Sequence, residues 1–402
     1  MSKSSSRLLP LVIGSVAATA MLLPSASMAK TFKAPSGNAF YTASAGQIAG
    51  APGTMIWSRT IKTKAVALSQ ASKTLLVLYR STALNGDPIA VSGTIDVPKG
   101  KAPKGGWKMI SWAHGTTGMA DVCAPSRNSS NSPAKDYISY TDATYNAWLK
   151  KGYAILRTDY EGLGTPGHHP YLIGHSEGRG VIDIARAAYG TKSLHMAKKW
   201  LIAGHSQGGQ SSLFAAADAT ARAPQLELKG VVAFAPASHI YQQKSLLGVL
   251  KNPSPLTGLA TMIVASASRE AGLNAADYLS AQVAAFLPQL EIVCSAQLAQ
   301  TSKLGGIAPN TMLKPGVDTS PVDPTLRAMN PDLAIAVPVF ILQGLADTTV
   351  QNLFTKKLPP LLRAHGDKVD FKTYAGLSHS GVVMDKKSSG DATAWIKKQF
   401  AK

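Results

Sequence analysis

The sequence predicts an α/β fold with a mainly parallel central sheet and helices on both faces. From about residue 107, short apolar segments alternate with helical segments, a pattern typical of βαβ units. The chain has 402 residues, of which 45% are hydrophobic and 16% are charged, so it can bury a large core. Between residues 237 and 332 the alternation stops, and helical periodicity continues without a clear strand. We therefore expect one core that is interrupted by a helical cap insertion.

The elements are predicted in chain order from their apolar periodicity. Two β-rich segments, 73–81 and 89–97, flank Asn85-Gly86 and predict an antiparallel pair, after an extended lead-in at 30–60. The later strands are expected at 107–113, 153–159, 200–203, 228–235, 337–343 and 369–374. Helices are expected at 134–151, 178–190, 193–199, 207–221, 350–365 and 389–401.

The first 29 residues are predicted to be a secretory signal peptide. Lys3 and Arg7 precede an apolar run at 8–23, and the small-x-small pattern ending at Ala29 is typical of a cleavage site. A membrane anchor is the alternative, but the run is short and is interrupted by proline and glycine. Cleavage near Ala29 implies a secreted or periplasmic protein, and no later segment predicts a transmembrane span. The rest divides into a first core part, an insertion and a second core part, at 30–236, 237–332 and 333–402.

The chain is strongly basic, with a formal net charge of +19, of which the signal peptide contributes two charges. A basic surface favours anionic partners, so we expect an anionic surface or a lipid interface to attract the protein. The basic residues are scattered along the sequence and no nucleic-acid motif is present. Nucleic acid is therefore not an expected partner.

The two cysteines, Cys123 and Cys294, are expected to form one disulfide. Export places them in an oxidising compartment, and an even number of cysteines suits a disulfide. Two buried thiols are the alternative. No metal or cofactor is expected, because the adjacent His168 and His169 cannot easily chelate one ion and no partner stands nearby at ligand spacing.

Two segments match G-x-S-x-G, the pattern that places a nucleophilic serine on a sharp strand-to-helix turn. Residues 174–178 read GHSEG around Ser176, and residues 204–208 read GHSQG around Ser206. The apolar strand 200–203 leads directly into the second segment, and a helix of small residues follows it. A loop rich in glycine and proline precedes the first segment, where Ser176 suits a helix N-cap. Ser206 is therefore predicted to be the nucleophile, with Ser176 as the alternative.

A nucleophilic serine needs a base within hydrogen-bond reach, and the base needs an orienting carboxylate. In α/β-hydrolases these residues follow the serine in the order Asp or Glu, then His. Asp347 comes shortly after the predicted strand 337–343, and His379 comes after the last predicted strand, 369–374. The sequence therefore predicts a triad of Ser206, Asp347 and His379.

The reaction also needs hydrogen-bond donors for the charge that develops on the carbonyl oxygen. The backbone N–H of Gln207, directly after the nucleophile, is one candidate. The loop HGTTG at 114–118 follows strand 107–113, and we expect the second donor to be the backbone N–H of Thr116, with Thr117 as the runner-up. A glycine-rich turn without a catalytic role is the alternative.

Several further motifs accompany these residues, and most of the range 105–385 contributes to them. They read HGTTG at 114–118, DYEGLG at 159–164, HPYL at 169–172, GHSQGG at 204–209 and a final SH at 378–379. As a set they resemble the secretory lipase family, a Candida lipase A-like group of the α/β-hydrolase superfamily. The resemblance implies an α/β-hydrolase core with a helical cap, serine esterase chemistry and acyl-ester substrates, often with medium or long chains. Fungal members use an acidic oxyanion residue, whereas the matching loop here reads Gly-Thr-Thr, which affects the expected substrate preference.

These predictions describe a secreted serine carboxylester hydrolase, a lipase or esterase that cleaves triacylglycerol-like or simpler esters through an acyl-enzyme without a cofactor. Two alternatives remain. An exported serine peptidase on the same fold would need a fixed charge to bind a peptide terminus, and the sequence singles out none. A non-catalytic cationic surface-binding protein is the second alternative, against which the complete triad argues.

Overall fold

A nine-stranded sheet forms the centre of the computed structural model, which describes Met1 and residues 32–402. The predicted signal peptide, 1–29, lies outside the described residues apart from Met1. The strands in chain order are β1 (Met55–Ile61), β2 (Ala71–Thr82), β3 (Pro88–Pro98), β4 (Trp107–Ala113), β5 (Tyr153–Thr158), β6 (Met196–His205), β7 (Glu227–Phe234), β8 (Val339–Gly344) and β9 (Val369–Tyr374).

The order of the strands across the sheet is β1-β2-β3-β5-β4-β6-β7-β8-β9. The first three strands pair antiparallel with their neighbours, whereas β4 to β9 all run parallel. The carboxyl ends of six strands therefore meet at one edge of the sheet. This arrangement confirms the predicted fold class and the predicted antiparallel pair at the start of the core.

Helices lie between the strands and on both faces of the sheet. They are α1 (Ala45–Ile48), α2 (Lys135–Ser139), α3 (Asp142–Lys150), α4 (Gly174–Gly190), α5 (Gln207–Arg222), α6 (Ile240–Leu247), α7 (Leu256–Glu270), α8 (Ala281–Ala284), α9 (Ser295–Leu298), α10 (Asp323–Ala328), α11 (Asn352–Thr355), α12 (Leu358–Ala364), α13 (Gly381–Met384) and α14 (Lys386–Ala401). No helix among the described residues has the length and apolarity needed to span a bilayer.

Two apolar cores cover the two faces of the sheet because successive strand residues point to opposite sides. Met109 of β4 belongs to the core that contains the apolar faces of α4 and α5. Its neighbour Ile110 belongs to the core that contains residues of α3 and α14. The near-continuous burial of the parallel strands follows from this double cover.

The segment between β7 and β8 contains helices α6 to α10 and no strand among its residues, all of which are described. It has an apolar cluster of its own, which includes Met262, Leu279, Leu298 and Met312. The predicted interruption of the core by helices is thus present. The described residues from 32 onward nevertheless cluster as one compact unit, so the boundaries at 237 and 332 stay predictions.

Two predicted elements were wrong. Strand β1 lies within the predicted lead-in, because residues 55–61 pair antiparallel with β2 and extend the sheet. The helix predicted at 193–199 is a single 3₁₀ turn at 192–194, followed by the start of β6. Lys198 is exposed and Lys199 is half-buried at this end of β6, so the apolar pattern that marks a buried strand begins only at Trp200.

Cys123 and Cys294 are joined by a disulfide across a sequence separation of 171 residues. Beside it, Gly118 forms an isolated antiparallel bridge with Cys294, and the Ser295 N–H donates to the Thr117 carbonyl at 2.9 Å. The disulfide therefore ties the helical segment after β7 to the loop after β4.

Replacing both cysteines with serine is expected to lower the free energy of unfolding by about 2–4 kcal/mol, because the unfolded chain loses a constraint on a long loop. Urea denaturation measures the change. A reducing agent should lower the stability of the wild type to that of the variant and leave the variant unaffected. Equal stabilities of the oxidised wild type and the variant would contradict a stabilising disulfide.

Candidate active site

Ser206 occupies a strained turn between β6 and α5. Its φ is 61° and its ψ is −120°, a combination that residues with a side chain rarely adopt. A Cβ on Gly204 would lie 2.0 Å from the Gly208 carbonyl oxygen, and one on Gly208 would lie 2.0 Å from the Ala113 carbonyl oxygen. Both glycines of this G-x-S-x-G motif are therefore required by close backbone approach, which leaves the Ser206 side chain at the carboxyl edge of the sheet.

The structure brings Ser206, Asp347 and His379 into one chain of hydrogen bonds. His379 Nε2 lies 2.8 Å from Ser206 Oγ, and His379 Nδ1 lies 2.7 Å from Asp347 Oδ2. Asp347 follows β8 and His379 follows β9, so the parallel strands deliver all three side chains to the same edge. The Asp347 side chain is fully buried, and that of His379 is 13% exposed.

The carboxylate of Asp347 is held by its own loop. Its Oδ1 accepts the backbone N–H groups of Thr349 and Val350, each at 2.8 Å. Its Oδ2 accepts an amide hydrogen of Gln343 at 3.2 Å in addition to the contact with His379. These bonds fix the orientation of the carboxylate, so His379 Nδ1 carries the hydrogen and Nε2 can accept one from Ser206.

His205, the residue before Ser206, also contacts His379, and sequence reasoning missed it. Its Nε2 donates to the His379 backbone carbonyl at 3.0 Å, and its Nδ1 accepts the hydroxyl hydrogen of Tyr140 at 2.5 Å. Burial, followed by the neighbouring His379, lowers the pKa of His205 well below its usual value, so the ring is neutral. A neutral His205 thus anchors the loop that carries His379.

The two predicted oxyanion donors lie beside Ser206. Gln207 is the first residue of α5, where a backbone N–H has no partner within its helix. Thr116 lines the same cleft as Ser206, whereas Thr117 lines a smaller cavity behind it, which favours Thr116 over the runner-up. The Tyr160 hydroxyl donates to the His114 carbonyl at 2.8 Å and holds this loop in place.

Ser176 lies inside α4 and does not cap it. The helix begins at Gly174, and the Ser176 hydroxyl donates to the carboxylate of Glu161, so the N-cap prediction was wrong. A Cβ on Gly174 would lie 2.0 Å from the Phe214 ring, so this glycine permits the close packing of α4 against α5. The first G-x-S-x-G motif is therefore a helix start that resembles the turn at Ser206 only in sequence.

Glu177 of the first motif nevertheless contacts Gln207 of the second motif, and sequence reasoning also missed this residue. The buried Glu177 carboxylate accepts an amide hydrogen of Gln207 at 2.7 Å, the Leu172 N–H at 2.8 Å and the Ser211 hydroxyl. The Gln207 amide also donates to His169 Nε2 at 2.9 Å. Burial raises the pKa of Glu177 to about 7 and lowers that of His169 to about 3. Hydrogen bonds to the buried Glu177 and His169 thus fix the side chain of Gln207.

The adjacent histidines do not converge. His168 is exposed, with its Nδ1 3.1 Å from Glu291, whereas His169 is buried and bonded to the Glu161 carbonyl and to Gln207. Among residues 32–402 no group of three or more His, Cys, Asp or Glu side chains is suited to hold a metal ion.

An apolar cleft opens beside Ser206, with an empty volume of about 1210 Å³ that includes its opening to solvent. Helices α6 and α7 contribute many of its lining side chains, most of them aliphatic, among them Ile240, Leu247, Leu256, Leu259, Ile263 and Val264. One charged residue, Lys244, lines the cleft, and its ammonium group pairs with Asp323 at 2.5 Å. The cleft therefore suits an extended apolar group next to the serine.

We expect Glu177→Gln to remove part of the pH dependence of stability. With its pKa raised from 4.5 to about 7, the folded protein keeps a proton that the unfolded chain loses. Glu177 thereby contributes about 3 kcal/mol to the free energy of unfolding at low pH. This contribution is fully present below about pH 4.5 and is lost as the pH rises through about 7. Urea denaturation across this range should show a flatter profile for Glu177→Gln. Asp136→Asn, at an exposed carboxylate of α2, is the control and should keep the wild-type slope; the same slope in both variants would contradict the assignment.

Known lipases are similar to this chain in sequence. The family model of secretory lipases matches residues 135–300, the segment that contains both G-x-S-x-G motifs. A probable inactive lipase of Mycobacterium tuberculosis is 30% identical over 239 residues, which cover 58% of this chain and 51% of that protein. Lipase 6 of Candida albicans is 28% identical over 205 residues, which cover 49% of this chain and 43% of that protein. The chain thus spans about half the length of the curated relatives it matches.

The fold is shared with a solved structure. The X-ray structure of Candida antarctica lipase A superposes with a TM-score of 0.70 over 85% of this chain and 80% of that chain, at 21% identity. This likeness supports the fold, and the family match covers the segment around Ser206. The chain has the α/β-hydrolase fold, and its segment 135–300 is similar to the secretory lipases.

Proposed function

We propose that the protein is a serine carboxylester hydrolase that cleaves acyl esters through an acyl-enzyme. The observation that carries the proposal is the chain of hydrogen bonds from Ser206 through His379 to Asp347 at the wall of an apolar cleft. A serine, a base and an orienting carboxylate in this order are the components of nucleophilic acyl transfer.

In the proposed reaction, Ser206 Oγ attacks the ester carbonyl while His379 Nε2 takes its proton. The buried Asp347 carboxylate stabilises the imidazolium that forms and keeps Nδ1 protonated throughout. The backbone N–H groups of Thr116 and Gln207 stabilise the oxyanion. His379 then donates its proton to the leaving alcohol, and a water molecule, activated by the same histidine, hydrolyses the acyl-enzyme.

The lining of the cleft supports esters with medium or long acyl chains as substrates. Each methylene group that leaves water for an apolar wall contributes about 0.8 kcal/mol of binding free energy. The aliphatic residues of α6 and α7 offer such a wall, and the ion pair between Lys244 and Asp323 satisfies the one charge within it. Triacylglycerol-like lipids and simpler long-chain esters both fit this chemistry.

Secretion to the periplasm or the medium is part of the proposal. The family match is to secretory lipases, and disulfides such as Cys123–Cys294 persist mainly in oxidising compartments. The leader-like pattern ending at Ala29 supports the same destination.

The two alternatives have less support. A peptidase that binds a peptide terminus needs a fixed charge in its cleft, and Lys244 already has a carboxylate partner. A non-catalytic role is suggested only by the name of the Mycobacterium tuberculosis relative, a probable inactive lipase. In this chain the histidine lies within hydrogen-bond distance of both the serine and the aspartate, which supports activity.

Ser206→Ala is expected to reduce turnover of p-nitrophenyl esters by about 10⁴-fold or more, because it removes the nucleophile. Ser176→Ala is the matched control in the other GHSxG motif. It removes a hydroxyl from a buried contact with Glu161, so we expect a stability loss of about 1 kcal/mol and activity within about threefold of the wild type. An inactive Ser176→Ala together with an active Ser206→Ala would contradict the assignment.

Ile263→Trp is expected to shorten the cleft and change chain-length preference. The indole should lower kcat/KM for p-nitrophenyl palmitate by more than about tenfold, whereas the acetate ester, which needs little of the cleft, should change by less than about twofold. Ile292→Trp, at a side chain that is 65% exposed and outside the cleft lining, is the control. Equal losses for the two esters would show that the acyl chain does not occupy this wall.

A further inference from the structure

The fold gathers lysines at the edge of the sheet opposite to Ser206. At this edge β2 and the parallel strands β4 to β9 begin, and the antiparallel strands β1 and β3 end. Exposed lysines lie in the connection from β3 to β4, before β5 and at the start of β6: Lys101, Lys104, Lys150, Lys151, Lys192 and Lys198. We call this face the basic edge.

Further lysines lie on the same edge near both ends of the sheet. Helix α14 ends there, because Lys108 at the start of β4 donates to the Phe400 carbonyl at 3.1 Å. This places further exposed lysines beside the strand starts, and the segments after β1 and before β9 add others: Lys62, Lys64, Lys368, Lys397, Lys398 and Lys402. The basic edge therefore runs along the whole sheet, although its members are far apart in sequence.

Few carboxylates compensate this charge. Glu227 pairs with Lys229 at 2.7 Å, and the hydrogen bond from Lys229, with the nearby Lys199 and Lys198, lowers the pKa of Glu227. The Asp370 carboxylate accepts the Trp395 indole N–H at 2.8 Å, and that of Asp367 accepts a backbone N–H. None of the twelve lysines listed above makes an ion pair among the described residues, whereas the neighbouring Lys229 of β7 pairs with Glu227. Glu227, Asp367 and Asp370 offset part of this charge, but the lysines outnumber them, so the edge keeps a positive field.

Exposed large apolar side chains occupy other parts of the surface. Within residues 32–402 they lie after β4, in the helical segment between β7 and β8, or after β8 and β9: Val122, Val249, Leu273, Ile292, Leu345 and Met384 are among them. These positions belong to the side of the molecule that carries the cleft. The basic edge therefore has charge without apolar anchors.

We propose that the basic edge is a binding surface for a linear, phosphate-bearing anionic polymer. Nine strands spaced about 4.8 Å apart make a row of cations about 40 Å long. Neighbouring strands rotate by about 20–25°, so the row is twisted. A flexible polymer can follow a twisted row. A flat bilayer would contact only part of the row, and no exposed apolar side chain lies there to insert into the bilayer. The cations are lysines, so they would bind phosphate groups as point charges rather than as bidentate partners.

The orientation leaves the cleft free. Strand β6 has ten residues and carries Lys198 near one end and Ser206 just beyond the other, so about 26 Å separates the two sites. A polymer on the basic edge would hold the protein with its cleft facing away from the polymer. The binding itself does not depend on the proposed ester hydrolysis.

The test measures binding of long-chain polyphosphate to the purified protein at about 50 and about 200 mM NaCl. The edge variant replaces Lys101, Lys104, Lys192 and Lys198 with glutamine. The control variant replaces four other exposed lysines away from the basic edge and so loses the same net charge: Lys251, Lys314, Lys356 and Lys386. We expect the edge variant to bind at least about tenfold more weakly at low salt and its salt slope to fall by about 2–3, whereas the control stays near the wild type.

Four outcomes would overturn the proposal. Equal losses in both variants would mean that net charge, not the basic edge, determines binding. Tighter binding to phosphatidylglycerol vesicles than to polyphosphate, abolished in the edge variant, would identify a membrane surface instead. Tighter binding to polygalacturonate would identify a carboxylate polymer. Turnover of a soluble ester should be unchanged by bound polyphosphate, and inhibition would place the polymer at the cleft.

Discussion

The close approach of backbone around Ser206 is the constraint on which the site depends. The turn between β6 and α5 leaves no room for a Cβ at Gly204 or Gly208, since each would meet a carbonyl oxygen at 2.0 Å. The turn holds Ser206 at a positive φ, and the next residue, Gln207, begins α5, so its N–H has no partner within the helix. Any residue larger than glycine at either position would move β6, α5 or the loop after β4.

Around this turn, buried polar groups hold the loops that complete the site. His205 fixes the backbone of His379, Gln343 and two backbone N–H groups fix Asp347, and Tyr160 fixes the loop that carries Thr116. Glu177 and His169 secure Gln207 from behind. Each of these groups is buried and makes at least one hydrogen bond, although the side-chain oxygens of Gln343 and Gln207 have no partner, and breaking these bonds would leave further buried polar atoms unpaired.

The surface of the protein is divided between two kinds of interaction. Exposed apolar side chains and the apolar cleft lie on the side where the parallel strands end, and exposed lysines lie where those strands begin. Because the strands that carry Ser206, Asp347 and His379 all run in one direction, the sheet itself separates the two regions. An acyl ester and an anionic polymer could therefore be bound at the same time.

Local patterns in the sequence predicted most strands of the core and pointed to Ser206, Asp347 and His379, the three side chains that the structure brings together, because strand, turn and helix signals around GHSQG are contiguous in the chain. The sequence could not assign Ser176 or Glu177, whose roles depend on contacts with Glu161 and Gln207 that no local pattern encodes. It missed β1, which needs β2 as a partner, and the start of β6, where exposed lysines mask the apolar pattern. The lysines are scattered along the chain, and only the parallel register of the sheet brings them to one edge.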